Sequence, residues 1–265
     1  MAIGLDAQRR DGLHGQILRN IIISGLVFLC AFALALVPAA FDRPTARLIN
    51  GVADQSWLFD YFLDASNRYP TFSGVLLIAM IWYCWFDDRD TERRARILVG
   101  TLASIAAGGV SRILQHTLPT HARPYYDPAL GFHLPLNLEV PYNTWDSFPS
   151  DHATVFAGLA VVLYMARPSF VIYAIAWTIV VESARSYIGA HYPTDLIAGA
   201  ALAASLVWAS QMSWPVSTGK KLVRWEQSSP AVFYMSAFFL SYQIATLFVD
   251  IRQTLGPVRH HVLGH

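Results

Sequence analysis

The chain has 265 residues, of which 54% are hydrophobic and 14% charged, and its formal net charge is +1. So apolar a composition excludes an ordinary soluble domain and a disordered chain, and the near-neutral balance gives no basis for a nucleic-acid partner. The fold class it points to is all-α: a polytopic membrane helix bundle, in which each span satisfies its own backbone hydrogen bonds.

In chain order, residues 21–41 carry no charge. At about 1.5 Å per residue they are long enough to cross a hydrocarbon core about 30 Å thick. Arg9, Arg10 and Arg19 precede this run and Val37-Pro38-Ala39-Ala40 resembles a small-residue cleavage site, so a removable signal peptide is the alternative to a retained first span. The length of the run favours retention. Residues 46–62 place Leu48, Ile49, Val52, Leu58, Phe59 and Phe62 near helical spacing around Asp54 and Asp60, which reads as an amphipathic interfacial helix or a structured loop. Further spans are expected at 72–86, 97–118, 153–166, 170–187, 196–212 and 231–249, with 72–86 and 153–166 short. The division expected from this is a core at 1–213 and an extension at 214–265 with an added membrane segment, spanning or re-entrant. Cys30 and Cys84 both fall inside expected spans, so neither a disulfide nor a metal site is indicated.

Topology follows from the basic residues. With the N-terminus inside, eleven Lys and Arg fall on the cytosolic face and seven on the other, Arg43, Arg47, Arg68, Arg123, Arg185, Arg252 and Arg259. The proline-rich connection 119–149 then lies outside. Its Tyr125, Tyr126, Phe132, Tyr142 and Trp145 suit a lid or lipid-entry wall, or a passive outer loop.

Three clusters on that outer face carry chemistry: His116 with Arg123-Pro124; Pro149-Ser150-Asp151-His152; and Arg185, His191 and Asp195. Arginine's planar fork matches phosphate oxygens, and two histidines can divide the nucleophile and proton-donor roles of phosphoryl transfer. Each residue taken singly has a plainer reading: a membrane-interface anchor for Arg123 and Arg185, a helix-dipole partner for Asp195. His121 and His133 read as solvated loop side chains. No H-E-x-x-H or cysteine pair supports a metal.

In order and spacing the clusters resemble the signatures K-x6-R-P, P-S-G-H and S-R-x5-H-x3-D of the type 2 phosphatidic acid phosphatase (PAP2) superfamily. The resemblance implies a six-span core, no metal or other cofactor, and a membrane lipid phosphate as substrate. It implies His191 as the nucleophile, Asp195 as the acceptor from its other ring nitrogen, and His152 as general acid. Arg123, Arg185 and Ser150 would bind phosphate. Three positions depart from the signatures. His116 fills the lysine slot, where it or Arg112, one turn earlier, would supply the positive charge; Asp151 fills the glycine slot; Ala184 replaces the serine. The P-S-D-H form resembles the undecaprenyl-diphosphate phosphatase branch. The reading expected from all this is a phosphatase acting on a lipid (di)phosphate at the periplasmic or outer face of a bacterial inner membrane. The alternatives are a lipid phosphotransferase, a phosphatidic acid or phosphatidylglycerophosphate phosphatase, and a non-catalytic lipid-binding protein.

Overall fold

The computed structural model describes residues 2–69, 71–119, 121–137, 147–249 and 251. Tyr142, Trp145, Arg252 and Arg259, and the side chains of Arg9 and Arg10, lie outside what is described. The helices are α1 (Ala2–Ala35), α2 (Asp42–Asn50), α3 (Trp57–Arg68), α4 (Leu76–Asp87), α5 (Thr91–Thr117), α6 (Asp151–Ala166), α7 (Val171–Tyr187), α8 (Pro193–Ala209), α9 (Ser213–Ser228) and α10 (Pro230–Ala245). No strand occurs among the described residues.

Asp11–Ala35 and Thr91–Thr117 are each long and apolar enough to cross a membrane alone, and Asp151–Ala166 is a shorter apolar helix. Large apolar side chains point outward along the bundle, among them Ile22 and Leu29 on α1, Ile172 and Ile179 on α7, and Phe238 on α10. A lipid environment accommodates that surface; water does not.

The expected interfacial helix is in fact two. Ser56 opens α3 by accepting a hydrogen bond from Phe59 N, and the turn between α2 and α3 contains Asp54 in the left-handed region (φ 60°). The amphipathic pattern continues across that break, which is why it reads as one element. The expected span 196–212 ends earlier, and the chain turns by 76° into α9. There Val216, Gly219 and Val223 are buried, and Lys220 Nζ donates to Glu92 Oε2 of α5 at 2.8 Å. Val216, Val223 and Phe233 share the main apolar core with Leu77, Phe156, Leu159 and Val207.

In lipid the hydrophobic effect does not drive one helix against another, so close packing and interhelical hydrogen bonds must. The contact of α5 with α6 has both. A Cβ on Gly158 would stand 2.4 Å from Ser104 Oγ, Ser104 Oγ donates to Val155 O at 2.7 Å, and Ser111 Oγ and Gln115 Nε2 donate to Pro149 O. At the α6–α8 contact, a Cβ on Gly199 would stand 2.5 Å from Ser150 O, a backbone atom without freedom to retreat. Gly199→Ala is therefore expected to destabilise by about 1–3 kcal/mol. Gly109, which has nothing within 4 Å of its Cβ position, is the control. Gly109→Ala should be neutral or slightly stabilising on helix propensity. Thermal unfolding of both variants in detergent checks the pair.

Candidate active site

The three clusters meet where α5 ends, α6 begins and α7 turns into α8. Pro193 occupies the first turn of α8, where its missing N–H costs nothing, and Asp195 Oδ2 accepts from Tyr192 N at 2.8 Å. Main chain joins two clusters directly, since Ser150 N donates to Asp195 O at 3.0 Å. Gly189 makes the turn between α7 and α8 at φ +73°, and the Phe132 ring covers it so closely that a Cβ would stand 2.7 Å away. The positive φ favours glycine here, and any larger residue would also have to displace the Phe132 ring.

His191 is 1% exposed. Its Nδ1 lies 2.9 Å from Ser147 O and 3.4 Å from Asp195 Oδ2. A carbonyl only accepts, so Nδ1 carries the proton and Nε2 the lone pair. The first partner of Nδ1 is thus the Ser147 carbonyl, and Asp195 stands behind it as a charge. Arg123 Nη1 approaches Nε2 at 3.3 Å and donates to Ala190 O at 2.6 Å. Burial, then the charges of Arg123 and Arg185, hold His191 well below the usual histidine range. Such an imidazole is neutral and aims a lone pair at a cationic pocket, as a nucleophile for phosphorus must.

Asp151 resolves its unusual position by pairing with His152. Asp151 Oδ1 lies 3.0 Å from His152 Nδ1 and 3.0 Å from its backbone N. A carboxylate on Nδ1 stabilises the protonated ring and leaves Nε2–H to donate elsewhere. Ser150 Oγ accepts from Ala153 N at 3.3 Å as the cap of α6, so its O–H proton is what it offers an anion. Arg185, 2% exposed, is held by Asn67 Oδ1 of α3 at 2.8 Å. Arg123 is 3% exposed; burial, and after it the neighbouring Arg185 charge, lowers its pKa, a cost that an anion bound there would offset.

His116 is exposed on the last turn of α5, and among the described residues no hydrogen bond or ion pair links it to the other clusters. Arg112 is tied in instead. Its Nη1 donates to Gln115 Oε1 at 2.8 Å, and Gln115 Nε2 donates to Pro149 O at 2.6 Å. Sequence reading missed Ser147, Asn67 and Glu182, and took His121 for a solvated side chain. Glu182, 5% exposed, lies one turn before Arg185 on α7, and neither carboxylate oxygen has a hydrogen-bond partner among the described residues. Among those residues no group of three metal-binding side chains converges.

A neutral buried imidazole, a carboxylate-paired second histidine and two buried guanidinium groups at one end of an apolar helix bundle are the parts of a membrane phosphatase. Comparison with known proteins agrees. The family model described as "PAP2 superfamily" matches residues 97–217. An undecaprenyl-diphosphatase of Sulfolobus acidocaldarius is 30% identical over 194 residues, covering 68% of this chain and 88% of that protein. A lipid A 1-phosphatase of Rhizobium johnstonii is 24% identical over 206 residues, 76% of this chain and 80% of that protein. The crystal structure of a transmembrane PAP2-type phosphatidylglycerolphosphate phosphatase from Bacillus subtilis shares the fold, with a TM-score of 0.50, 18% identity, and coverage of 72% of this chain and 94% of that one. The chain belongs to the PAP2 superfamily.

Proposed function

We propose that this protein hydrolyses a lipid phosphate or diphosphate, with undecaprenyl diphosphate the first substrate to test, through a phosphohistidine on His191. The observation that carries the reading is the state of His191, proton on Nδ1 facing Ser147 O and lone pair on Nε2 facing Arg123. In the first step Nε2 forms a bond to the terminal phosphorus and the bond from that phosphorus to its bridging oxygen breaks, releasing the lipid alcohol from a monophosphate or the lipid monophosphate from a diphosphate, while His152 gives its proton to the departing oxygen. In the second, the now neutral His152 takes a proton from water, water oxygen bonds to phosphorus, and the phosphorus–nitrogen bond breaks to release orthophosphate and neutral His191. Arg123, Arg185 and the Ser150 hydroxyl bind the non-bridging oxygens. Asp195 offsets the positive charge that His191 gains.

Two observations support a lipid substrate on the outer face. An apolar groove of about 760 Å³ runs between α1, α6, α7 and α8, lined by Ala157, Ile179 and Ile197, within two helical turns of His152, Arg185 and Asp195 on the same helices, and reaching Tyr164 and Trp208. The excess of basic residues on the opposite loops supports a site on the periplasmic or outer side. All proposed catalytic residues lie within 1–213, which we take as the catalytic core, with the chain beyond it bracing α4 and α5.

Purified protein given lipid diphosphate labelled in its terminal phosphate should release free orthophosphate without an added acceptor, and an acid quench should lose the label on the protein that an alkaline quench retains. Turnover that requires a lipid or glycan acceptor makes the protein a phosphotransferase, and no turnover with any lipid phosphate rejects the reading. We assign the positive charge of the missing lysine to Arg112. Arg112→Gln should raise KM about tenfold, the worth of one charged hydrogen bond, while His116→Gln leaves it within about twofold; the reverse order returns the role to His116.

A further inference from the structure

His121 lies between α5 and α6, and the structure encloses it: its side chain is 11% exposed. Nε2 is 3.6 Å from Asp42 Oδ2 and 3.9 Å from Asp195 Oδ1, Nδ1 is 3.1 Å from Ser147 Oγ, and the ring stands edge-on to Tyr192. Asp42 and Asp195 are both fully buried. Among the described residues, neither His121 Nε2 nor Asp195 Oδ1 has a hydrogen-bond partner, so the two polar atoms face each other at ion-pair distance.

Asp42 is committed to the start of α8, where Oδ2 accepts from Thr194 Oγ1 at 2.5 Å and Oδ1 from Thr194 N at 3.3 Å. Among the described residues, the charged groups facing His121 are thus Asp42 from α2 and Asp195 from α8, with the neutral Ser147 from the segment before α6. Arg43, the nearest cation of α2, is drawn off to Asp127 at 2.8 Å. Two buried carboxylates without a cation between them would both resist ionisation. Burial pulls the His121 pKa down, and the contact with Asp42 and the charges of Asp195 and Asp42 outweigh it, leaving it above the usual value.

We propose that His121 is a positioning residue for phosphoryl transfer: as an imidazolium wedged between Asp42 and Asp195, it keeps Asp195 ionised and aimed at His191. The proposal rests on the reading of His191 as nucleophile. A charged Asp195 favours the positive charge that His191 acquires when Nε2 bonds to phosphorus, and His121 reaches no substrate atom itself. Asp42 thereby has two tasks, capping α8 and anchoring the cation.

The test uses the full-length protein in detergent with wild type, His121→Gln, His121→Lys and Asp42→Asn. His121→Gln should lower kcat about 10- to 100-fold, the loss typical of groups that orient a catalytic residue. KM should stay within about twofold. The acid limb of the rate profile should move up by about one pH unit, because Asp195 loses the charge that keeps it ionised. His121→Lys, which restores a cation, should recover much of kcat. Long-range nitrogen–proton NMR of histidine-labelled protein near about pH 7 should show an imidazolium signal that vanishes in His121→Gln and turns neutral in Asp42→Asn. Wild-type kcat and limb in His121→Gln, equal losses in the Gln and Lys variants, or a neutral His121 in wild type would overturn the proposal. If wild type releases no phosphate, the phosphatase reading fails by itself, and the NMR signal still decides the charge on His121.

Discussion

His191→Ala lowers phosphate release by at least about 10⁴-fold, and it does so for every substrate. The expectation follows from the way the ring is held. Ser147 O fixes the proton on Nδ1, so the lone pair on Nε2 faces the cationic pocket formed by Arg123 and Arg185. Loss of a nucleophile in a preorganised site typically removes most of the rate enhancement and leaves what binding and charge stabilisation supply. Labelled phosphate should no longer attach to the protein, although lipid phosphate should still bind through the arginines. Assay of wild type and variant with the same labelled lipid checks both points, and equal rates would remove His191 from the mechanism. Burial and the neighbouring arginine charges keep His191 neutral in mildly acid solution. His191 itself should therefore add no loss of rate as pH falls through about 6.5.

The second large effect is selective. His152→Gln should slow release from a lipid phosphate about 10²- to 10⁴-fold, the usual contribution of a positioned general acid. The alkoxide that leaves a lipid monophosphate is a poor leaving group and would need the proton of the Asp151–His152 pair. An aryl phosphate such as p-nitrophenyl phosphate departs without it, so its loss should be at least about tenfold smaller. Parallel rates on the two substrates distinguish the roles: His191→Ala abolishes both, His152→Gln chiefly the first. A loss of equal size on both substrates would make His152 a binding group.

The parts of the site that sequence made legible are those whose geometry is local. Pro193 starts α8, so Asp195 returns to the turn that carries His191. Asp151 precedes His152, and their pairing needs only one residue of separation. What stayed hidden depends on partners far along the chain. Asp42 meets Thr194 across 152 positions, and Asn67 meets Arg185 across 118, with no local pattern to mark either. His121 looked like one more polar loop residue because only the folded chain brings Asp42 and Asp195 around it. His116 fits the motif spacing, yet the buried residue on that last turn of α5 is its neighbour Gln115. The apolar runs located the bundle helices, whereas α9, with Lys220, Lys221 and Arg224 on its surface, gave no membrane signal and is placed by its packing on α5.

The bond from Ser150 N to Asp195 O and the close seat of Gly199 against Ser150 O fasten the two histidine-bearing helix starts by main chain alone. Exchanging a side chain at position 152 or 191 leaves that fastening intact. The separation of backbone positions 152 and 191 is thus set by the scaffold rather than by either ring. Kinetic losses in such variants should therefore report missing proton, bond or binding chemistry rather than a shifted backbone.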